Sequence, residues 1–321
     1  MEVSSAILSR TWQAVLLLFL VSLVTFVLVR LAPGDPSAFF FGSSISAEDA
    51  AQFRARWGLD DPVHIQYVRW AANALGGDLG RSYQDGRPVL TVIAERVPAS
   101  LLLALSALVM ATVLGVSLGV VAASRYYSMW DRAITLVATL CYSTPAFWLG
   151  IVLILLFSVR LGWLPSGGIR NPAAASDWTD LLRHLTLPAA ALAVRDVGRF
   201  ARVTRSSMLE VLSQDYLRTA TAKGLGPRTI TLRHTLRNAL LPVITLLGMA
   251  IPGLLSGSVI IETVFGWPGM GRLAIESALQ RNYPVIMGEV LIVAAMAIAG
   301  SLLADITCSL ADPRLGRTGR G

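Results

Sequence analysis

The groups that could carry out covalent or metal chemistry are few and scattered in this sequence. The three histidines lie far apart in the chain, at His64, His184 and His234. The two cysteines, Cys141 and Cys308, fall in apolar stretches where no metal-binding or disulfide spacing supports them. We therefore predict no catalytic residue and no metal site.

Nucleotide chemistry is not expected either. The single lysine, Lys223, is followed by Gly224 and Leu225, and the phosphate-binding pattern GxxxxGK[ST] does not occur in the chain. The sequence therefore predicts neither ATP hydrolysis nor a bound cofactor.

Most of the chain has the composition of membrane helices. Hydrophobic residues make up 54% of the 321 residues, charged residues make up 15%, and the mean hydropathy is +0.62. This composition excludes a soluble domain with a polar surface. Apolar runs of about the 20 residues that cross a bilayer occur at 12–31, 98–123, 133–159, 181–200, 240–264 and 285–303. We predict an all-α membrane protein with six transmembrane helices.

The net charge of +7 could indicate nucleic acid, but the charge is distributed by side of the membrane. With the amino terminus inside, the inner segments carry 15 basic and six acidic residues, and the outer segments carry 12 of each. An excess of arginine and lysine is typical of cytoplasmic segments. We predict that both termini are cytoplasmic and that nucleic acid is not a partner.

The first long polar segment, residues 33–97, contains residues that typically begin and end short helices. Ser46 and Asp49 have the spacing of a capping box, and Gly58 is placed to end that helix. A second helix is predicted from Pro62 to Gly76. With the amino terminus inside, this segment is extracytoplasmic and forms a cap.

Three features of the later runs concern helix shape and packing. Pro145 and Pro188 lie inside predicted spans, where each is expected to kink its helix. Gly115 and Gly119 have the GxxxG spacing that allows close helix contact.

The fourth apolar run carries charges that need an explanation. Arg195, Asp196 and Arg199 lie in its lower part, and charges at membrane depth need a partner or water. In one interpretation an arginine lines a translocation cavity and meets an anionic group, while Asp196 meets a cation. In the other, Asp196 and Arg199 form a structural ion pair at the inner boundary and the arginines extend to water.

A polar and basic stretch between the fourth and fifth runs is the most informative part of the chain. Arg218-Thr219-Ala220, then Gly224, then His234-x-Leu236 follow the spacing EAA, three residues, Gly, nine residues, I-x-L-P, with Arg237 in place of the proline. Four more motifs agree with it: PGDP at 33–36, ETVFGWPGMG at 262–271, NYPVIMG at 282–288 and ADPRL at 311–315. Together they resemble the B-type permease subunits of dipeptide, oligopeptide and nickel ABC importers.

This resemblance implies a type I importer fold and a segment that couples to ATPase subunits. The implied coupling loop is 213–238. The residues expected to contact the ATPase are Asp215, Tyr216, Arg218, Thr219, Ala220, Ala222, Lys223 and Gly224. The implied partners are a homologous C-type permease, two ATPase subunits that bind ATP and Mg²⁺, and an extracytoplasmic solute-binding protein.

The implied organisation has four parts. Residues 1–32 form a first membrane helix, 33–97 the cap, 98–310 the transport core, and 311–321 a cytoplasmic tail. The location is the inner membrane of a prokaryote. The implied solute is a di- or oligopeptide, whose terminal carboxylate is the anionic group that an arginine in the fourth run could meet.

Several alternatives stay open on the sequence. Nickel chelates or glutathione could be imported by the same architecture, although the chain has no cluster of His, Met or Cys suited to bare nickel. The basic loop could instead be held by anionic lipid. A chain of another class, an ion-coupled carrier or channel, would use Asp196, Glu289 and Asp305 as a charge relay but would not need the loop.

Overall fold

The protein is described by a computed structural model for residues 2–31, 47–171, 177–226 and 229–311. Most of these residues are helical, and their one β contact is an isolated antiparallel bridge between Arg81 and Pro88. The α-helices are α1 (Glu2–Leu31), α2 (Ala47–Arg56), α3 (Val63–Leu75), α4 (Val89–Ser124), α5 (Met129–Ser143), α6 (Ala146–Leu153), α7 (Trp178–Leu212), α8 (Asp215–Ala222), α9 (Leu236–Ala239), α10 (Leu241–Val264), α11 (Met270–Leu279) and α12 (Tyr283–Ala311), with π-helical turns at Ile154–Arg160 and Ile230–Thr235. The predicted all-α class is confirmed.

Three helices in the described residues are long and apolar enough to cross a membrane. They are Trp12–Leu31 within α1, Val89–Ser124, and Tyr283–Leu302 within α12. A fourth span is added if α5 and the helical stretch Ala146–Arg160 are taken as one bent segment. The predicted runs 12–31, 98–123 and 285–303 thus correspond to single helices.

The predicted span 133–159 is broken rather than straight. Its two halves meet at an angle of 104°. Thr144 is extended (φ −80°, ψ 127°) and stands directly before Pro145, at the start of α6. A residue that precedes proline is pushed out of the helical region, because the proline ring clashes with its backbone. Pro145 therefore ends one helix and begins another, whereas Pro188 lies within the continuous helix α7.

The described residues form two compact units. The first is drawn from Met1–Ser100 and Pro268–Ile298, and the second from Leu101–Trp267 and Ala299–Gly321.

The first unit has an apolar core that joins segments distant in the chain. Its buried residues are Leu79, Val89, Ile93, Met270, Leu273 and Val285. The side chain of Asn282 joins the carboxy-terminal part of this unit to the segment before α4. Its Oδ1 accepts from the amide of Tyr83 at 3.0 Å, and its Nδ2 donates to Ser82 Oγ at 3.0 Å.

The two predicted helices of segment 33–97 are present in the first unit. Helix α2 begins at Ala47 and is followed by Gly58, whose φ of +61° is the left-handed conformation that ends it. Helix α3 begins directly after Pro62 and ends before Gly76. The proposed capping residue Ser46 lies outside the described residues.

Helix α7 is the centre of the second unit. Asp177 begins it by accepting from the amide of Thr179 at 2.8 Å, and the Thr179 hydroxyl and amide hold the pKa of Asp177 below its ordinary value. Sixteen of its residues are buried, from Leu181 to Met208. A helix that is buried over most of its length must be contacted from several sides.

The predicted close contact at Gly115 and Gly119 is confirmed, and its partner is α7. A Cβ on Gly115 would stand 2.6 Å from the Cβ of Phe200, and one on Gly119 would stand 2.5 Å from the Cβ of Thr204. From the α7 side, a Cβ on Gly198 would stand 2.3 Å from the carbonyl oxygen of Ala138 in α5. Glycine therefore lets both α4 and α5 approach α7 at backbone distance.

We expect Gly119→Ala to destabilise the protein. The added methyl would overlap Thr204 and the carbonyl of Ala201, 2.7 Å away, so α4 or α7 must shift. Overpacking of this kind costs roughly 1–3 kcal/mol. The measurement is the midpoint of thermal unfolding in detergent. Gly226→Ala is the matched control, since its Cβ would meet nothing within 4 Å, and equal midpoints for the two variants would contradict the packing argument.

Candidate coupling and pathway site

The coupling segment projects from the end of helix α7 as a short separate helix. Helix α8 covers Asp215–Ala222, one residue shorter than the stretch to Lys223 expected from the sequence. Gly224 follows with φ +80°, the left-handed conformation that ends a helix and that side chains rarely adopt. The predicted helix and its glycine stop are therefore both present.

One side of α8 is held by the protein and the other is open. Leu217 is buried, and the amide of Asn238 donates to the hydroxyl of Tyr216 at 2.9 Å. The exposed residues of the predicted contact set are Asp215, Tyr216, Thr219, Ala222, Lys223 and Gly224. The side chains of Arg218 and Ala220 lie outside the described part of the structure.

The chain returns from the loop through a π-helical turn at Ile230–Thr235 and the short helix α9. Thr235 is fully buried, and its hydroxyl donates to the carbonyl oxygen of Ile230 at 3.0 Å. Ala239 of α9 is buried against Met208 of α7 and Ala123 of α4. Helix α9, which follows the loop, is thus packed on α7, the helix that precedes the loop.

Three candidate pathway residues lie together on α7, but not in the expected ion pair. Arg195 is exposed, and Asp196 and Arg199 are half-buried. In the described residues no ion pair within 4.0 Å joins Asp196 to either arginine. The i,i+3 pairing expected from the spacing is therefore wrong for this conformation.

Arg195 instead contacts an aromatic ring on α5. Its guanidinium carbon lies 5.3 Å from the ring centre of Tyr142, and that of Arg202 lies 4.6 Å from the same ring. These are cation–π distances. Tyr142 thus brings two positive groups of α7 close to one ring.

An ion pair that the sequence reasoning missed joins α5 to the lower part of α7. Arg205 donates from Nε to Asp131 Oδ1 at 2.6 Å and from Nη2 to Asp131 Oδ2 at 2.9 Å. Asp131 is buried, and its carboxylate also accepts from the amide of Tyr127 at 3.1 Å. The Ser128 hydroxyl accepts from the Asp131 amide at 3.3 Å, which caps α5.

A sequence signal for part of this arrangement exists. Ser128 and Asp131 have the S-x-x-D spacing of a helix start. Nothing in the sequence indicates that the same carboxylate would receive Arg205, 74 residues further on.

Helix α7 connects the charged residues to helix α8. From Arg195 to Leu212 the helix is continuous, a length of about 25 Å at 1.5 Å per residue. Only Ser213 and Gln214 separate it from α8. A nearly unbroken helical segment therefore runs from Arg195 and Asp196 to the predicted coupling helix.

Within the described residues, no group of three or more His, Cys, Asp or Glu side chains is placed to hold a metal ion.

Comparison with known protein families decides the relationship. Residues 115–317 match the family described as binding-protein-dependent transport system inner membrane component, and residues 4–104 match its N-terminal companion model. This chain belongs to that family of inner membrane transport components. The matches cover the coupling segment, α7 and the first unit's amino-terminal helices.

Relatives in the family are similar over almost their whole length. The oligopeptide transport system permease protein AppB of Bacillus subtilis (strain 168) is 42% identical over 310 residues, which cover 96% of this chain and 98% of the relative. A putative peptide permease protein of Brucella suis biovar 1 is 42% identical over 93% of this chain and 95% of the relative.

Solved structures show the same fold at low sequence identity. The inward-facing MetNI methionine ABC transporter matches with a TM-score of 0.58 and 16% identity, over 70% of this chain and 97% of that chain. An amino acid ABC transporter matches with a TM-score of 0.51 and 17% identity, over 70% of this chain and 94% of that chain. The chain therefore has the fold of an ABC importer permease.

We expect Asp131→Asn to loosen the contact between α5 and α7. The change leaves Arg205 without its carboxylate partner, and hydrogen bonds to charged groups are each worth about 1.5–3 kcal/mol. The midpoint of thermal unfolding should fall. Arg132→Gln, an exposed change one residue away, is the control. If both variants unfold at the same temperature as the unchanged protein, the pair does not hold these helices together.

Proposed function

We propose that this chain is the permease subunit of an ATP-driven importer of di- and oligopeptides, and that it forms half of the translocation pathway. The proposal is supported by the named peptide and oligopeptide permeases at 42% identity over nearly full length. The observation that carries the mechanism is the exposed helix α8, fixed to the end of α7 and ended by Gly224.

The topology that goes with this function has six spans. Beside the helices already described as spans, α7 and α10 complete the set, and α7 is less apolar because it carries the charged site. The excess of basic residues in the inner segments supports cytoplasmic positions for both termini. Segment 33–97 then lies outside, where it forms a cap near a solute-binding protein.

The energy source belongs to partner subunits. The chain has no phosphate-binding loop, so ATP and Mg²⁺ are bound by two ATPase subunits, and no cofactor is bound here. A homologous C-type permease supplies the other half of the pathway. An extracytoplasmic binding protein delivers the solute.

The working cycle is alternating access. When the ATPases close, the groove that holds α8 moves, and α8 moves with it. Because α7 is joined to α8 and packed at backbone distance on α4 and α5, the three helices move as one body. The cavity between the two permeases then changes the side to which it opens.

Arg195 is the candidate pathway residue that the geometry favours. Its guanidinium is exposed and lies, with that of Arg202, near the ring of Tyr142. In the described residues, the carboxylate of Asp196 forms no ion pair within 4.0 Å. In this role Arg195 meets a peptide's terminal carboxylate, and Asp196 meets a cation such as its amino group. Arg199, half-buried one turn below, supports the local positive charge.

Experiments can distinguish this proposal from two other hypotheses. Nickel chelates or glutathione would use the same subunits and differ only in the binding protein. An ion-coupled carrier would need no ATPase and would leave the exposed face of α8 without a partner.

We expect Gly224→Ala to uncouple transport from ATP hydrolysis. Alanine at φ +80° costs roughly 1–2 kcal/mol, so the native turn after α8 becomes less populated. In the complex co-expressed with ATPase and C-type permease subunits, the stimulation of ATP hydrolysis by peptide-loaded binding protein should fall by roughly 5- to 30-fold.

Gly77→Ala is the matched control for this change. Gly77 has φ +85°, a Cβ there would meet nothing within 4 Å, and it lies after α3 rather than in the loop. Full stimulation in Gly77→Ala with loss in Gly224→Ala supports coupling through α8. Normal stimulation in both variants, or solute movement by the chain alone along an ion gradient, would overturn the proposal.

We expect Arg195→Ala to reduce import of peptides with a free carboxylate more than import of the same peptides amidated. The reason is that only the free carboxylate gains from a guanidinium partner. Uptake of the two peptides is measured in proteoliposomes, with Arg195→Lys as the charge-preserving control. Equal loss for both peptides would leave Arg195 with a structural role only.

A further inference from the structure

A second site is present in the first unit. It is a partly enclosed cavity of about 160 Å³, far larger than the roughly 15 Å³ needed for one water. The residues that give it its character are Arg30, Arg69, Trp70, Arg81, Tyr83 and Tyr283. Phe26, Val29, Leu79 and Met287 also line it, so the cavity combines arginines and aromatic rings with apolar surface.

The cavity lies at the level where membrane helices end. Arg30 is the next-to-last residue of the span Trp12–Leu31, and Tyr283 is the first residue of the span Tyr283–Leu302. Both spans meet the cavity with the end that leaves the membrane. Tyrosine, tryptophan and arginine at such ends sit at the depth of lipid headgroups.

The positive charge of the cavity is only partly neutralised. Arg69 pairs with Asp61 at 2.7 Å. Arg81 donates from Nη1 to the carbonyl oxygen of Gly86 at 3.1 Å, which carries no charge. In the described residues, neither Arg81 nor Arg30 has an ion pair within 4.0 Å.

The surroundings of Arg30 hold it in place without neutralising it. Its Nη2 donates to Gln66 Oε1, and Gln66 is fixed because its Nε2 donates to the carbonyl oxygens of Leu59 and Asp61 at 3.1 and 2.6 Å. The guanidinium also lies over the rings of Phe26 and Tyr283, at 5.5 and 5.9 Å from their centres. A positioned guanidinium of this kind is a ready partner for an anion.

Trp70, which lines the cavity, carries a further donor. Among the described residues, its indole N–H is buried and has no hydrogen-bond acceptor, although buried donors ordinarily have one. Burial raises the pKa of Tyr83 to about 12, against the opposing effect of Arg30. Its phenol therefore stays neutral at any physiological pH and adds no negative charge to the cavity.

We propose that this cavity binds the phosphate group of an anionic phospholipid. A phosphate oxygen is the acceptor that Trp70 lacks, and its charge matches Arg30 and Arg81. The acyl chains have an apolar surface to follow, because Val24, Val27 and Leu28 on α1 are exposed just before Arg30. That surface favours a lipid over a soluble anion, and the site does not depend on which solute is transported.

The test is native mass spectrometry of the full-length chain, purified with whatever subunits stay bound. Phosphatidylglycerol, phosphatidylcholine, inorganic phosphate and a tripeptide with a free carboxylate are titrated separately. The unchanged protein should bind phosphatidylglycerol most tightly. Arg81→Gln should weaken that binding about tenfold or more, as expected for a lost charge-assisted hydrogen bond.

Two further variants separate binding from structural damage. Trp70→Phe keeps a ring but removes the N–H, so it should weaken phosphatidylglycerol binding by about fivefold, as for a neutral hydrogen bond, without lowering the unfolding midpoint. Arg54→Gln, an exposed arginine outside the cavity that pairs with Asp60, should change neither quantity.

Two results would overturn the proposal. One is phosphatidylglycerol binding that is unchanged in both Arg81→Gln and Trp70→Phe. The other is displacement of the lipid by inorganic phosphate or by the tripeptide at equal affinity, which would assign the cavity to a soluble anion. Both outcomes are independent of ATP hydrolysis, so failure here leaves the proposed transport function untouched.

Discussion

The second unit depends on the backbone-level contact of α7 with its neighbours. Gly115 and Gly119 remove the side chains that would keep α4 away, and Gly198 does the same toward α5. Close-packed interfaces have no free volume in which one helix could slide past another. The charged residues of α7 and the predicted coupling helix α8 are therefore attached to a closely packed group of helices.

The ion pair of Asp131 and Arg205 fixes the orientation of α5 relative to α7. Glycine contacts fix how near two helices lie, whereas a bidentate pair also fixes their rotation and register. It lies between the Arg195 site and α8 along α7. The pair thus fixes α5 against α7 at a point between Arg195 and α8.

Local features were predictable from the sequence, and long-range pairings were not. The stop at Gly224, the helices after Ala47 and Pro62, and the contact at Gly115 and Gly119 follow from residue type and spacing. The partner of Asp131 and the absence of an Asp196–Arg199 pair do not, because each depends on how α5 and α7 pack. At Pro145 the sequence predicted a kink, and the structure shows a break of 104°. The proline determines where the helix bends, but the size of the angle depends on packing.

The amide of Asn282 has a consequence for biosynthesis. It joins Ser82 to a residue 200 positions later, so the first unit cannot be completed until the last span has been synthesised. At a synthesis rate of about 5–20 residues per second, the amino-terminal part of this unit is made on the order of 10–40 s before the carboxy-terminal helices that complete it. During that interval Leu79, Val89 and Ile93 lack the core partners that the carboxy-terminal segment supplies, so the unit can be completed only after the last helix has been made.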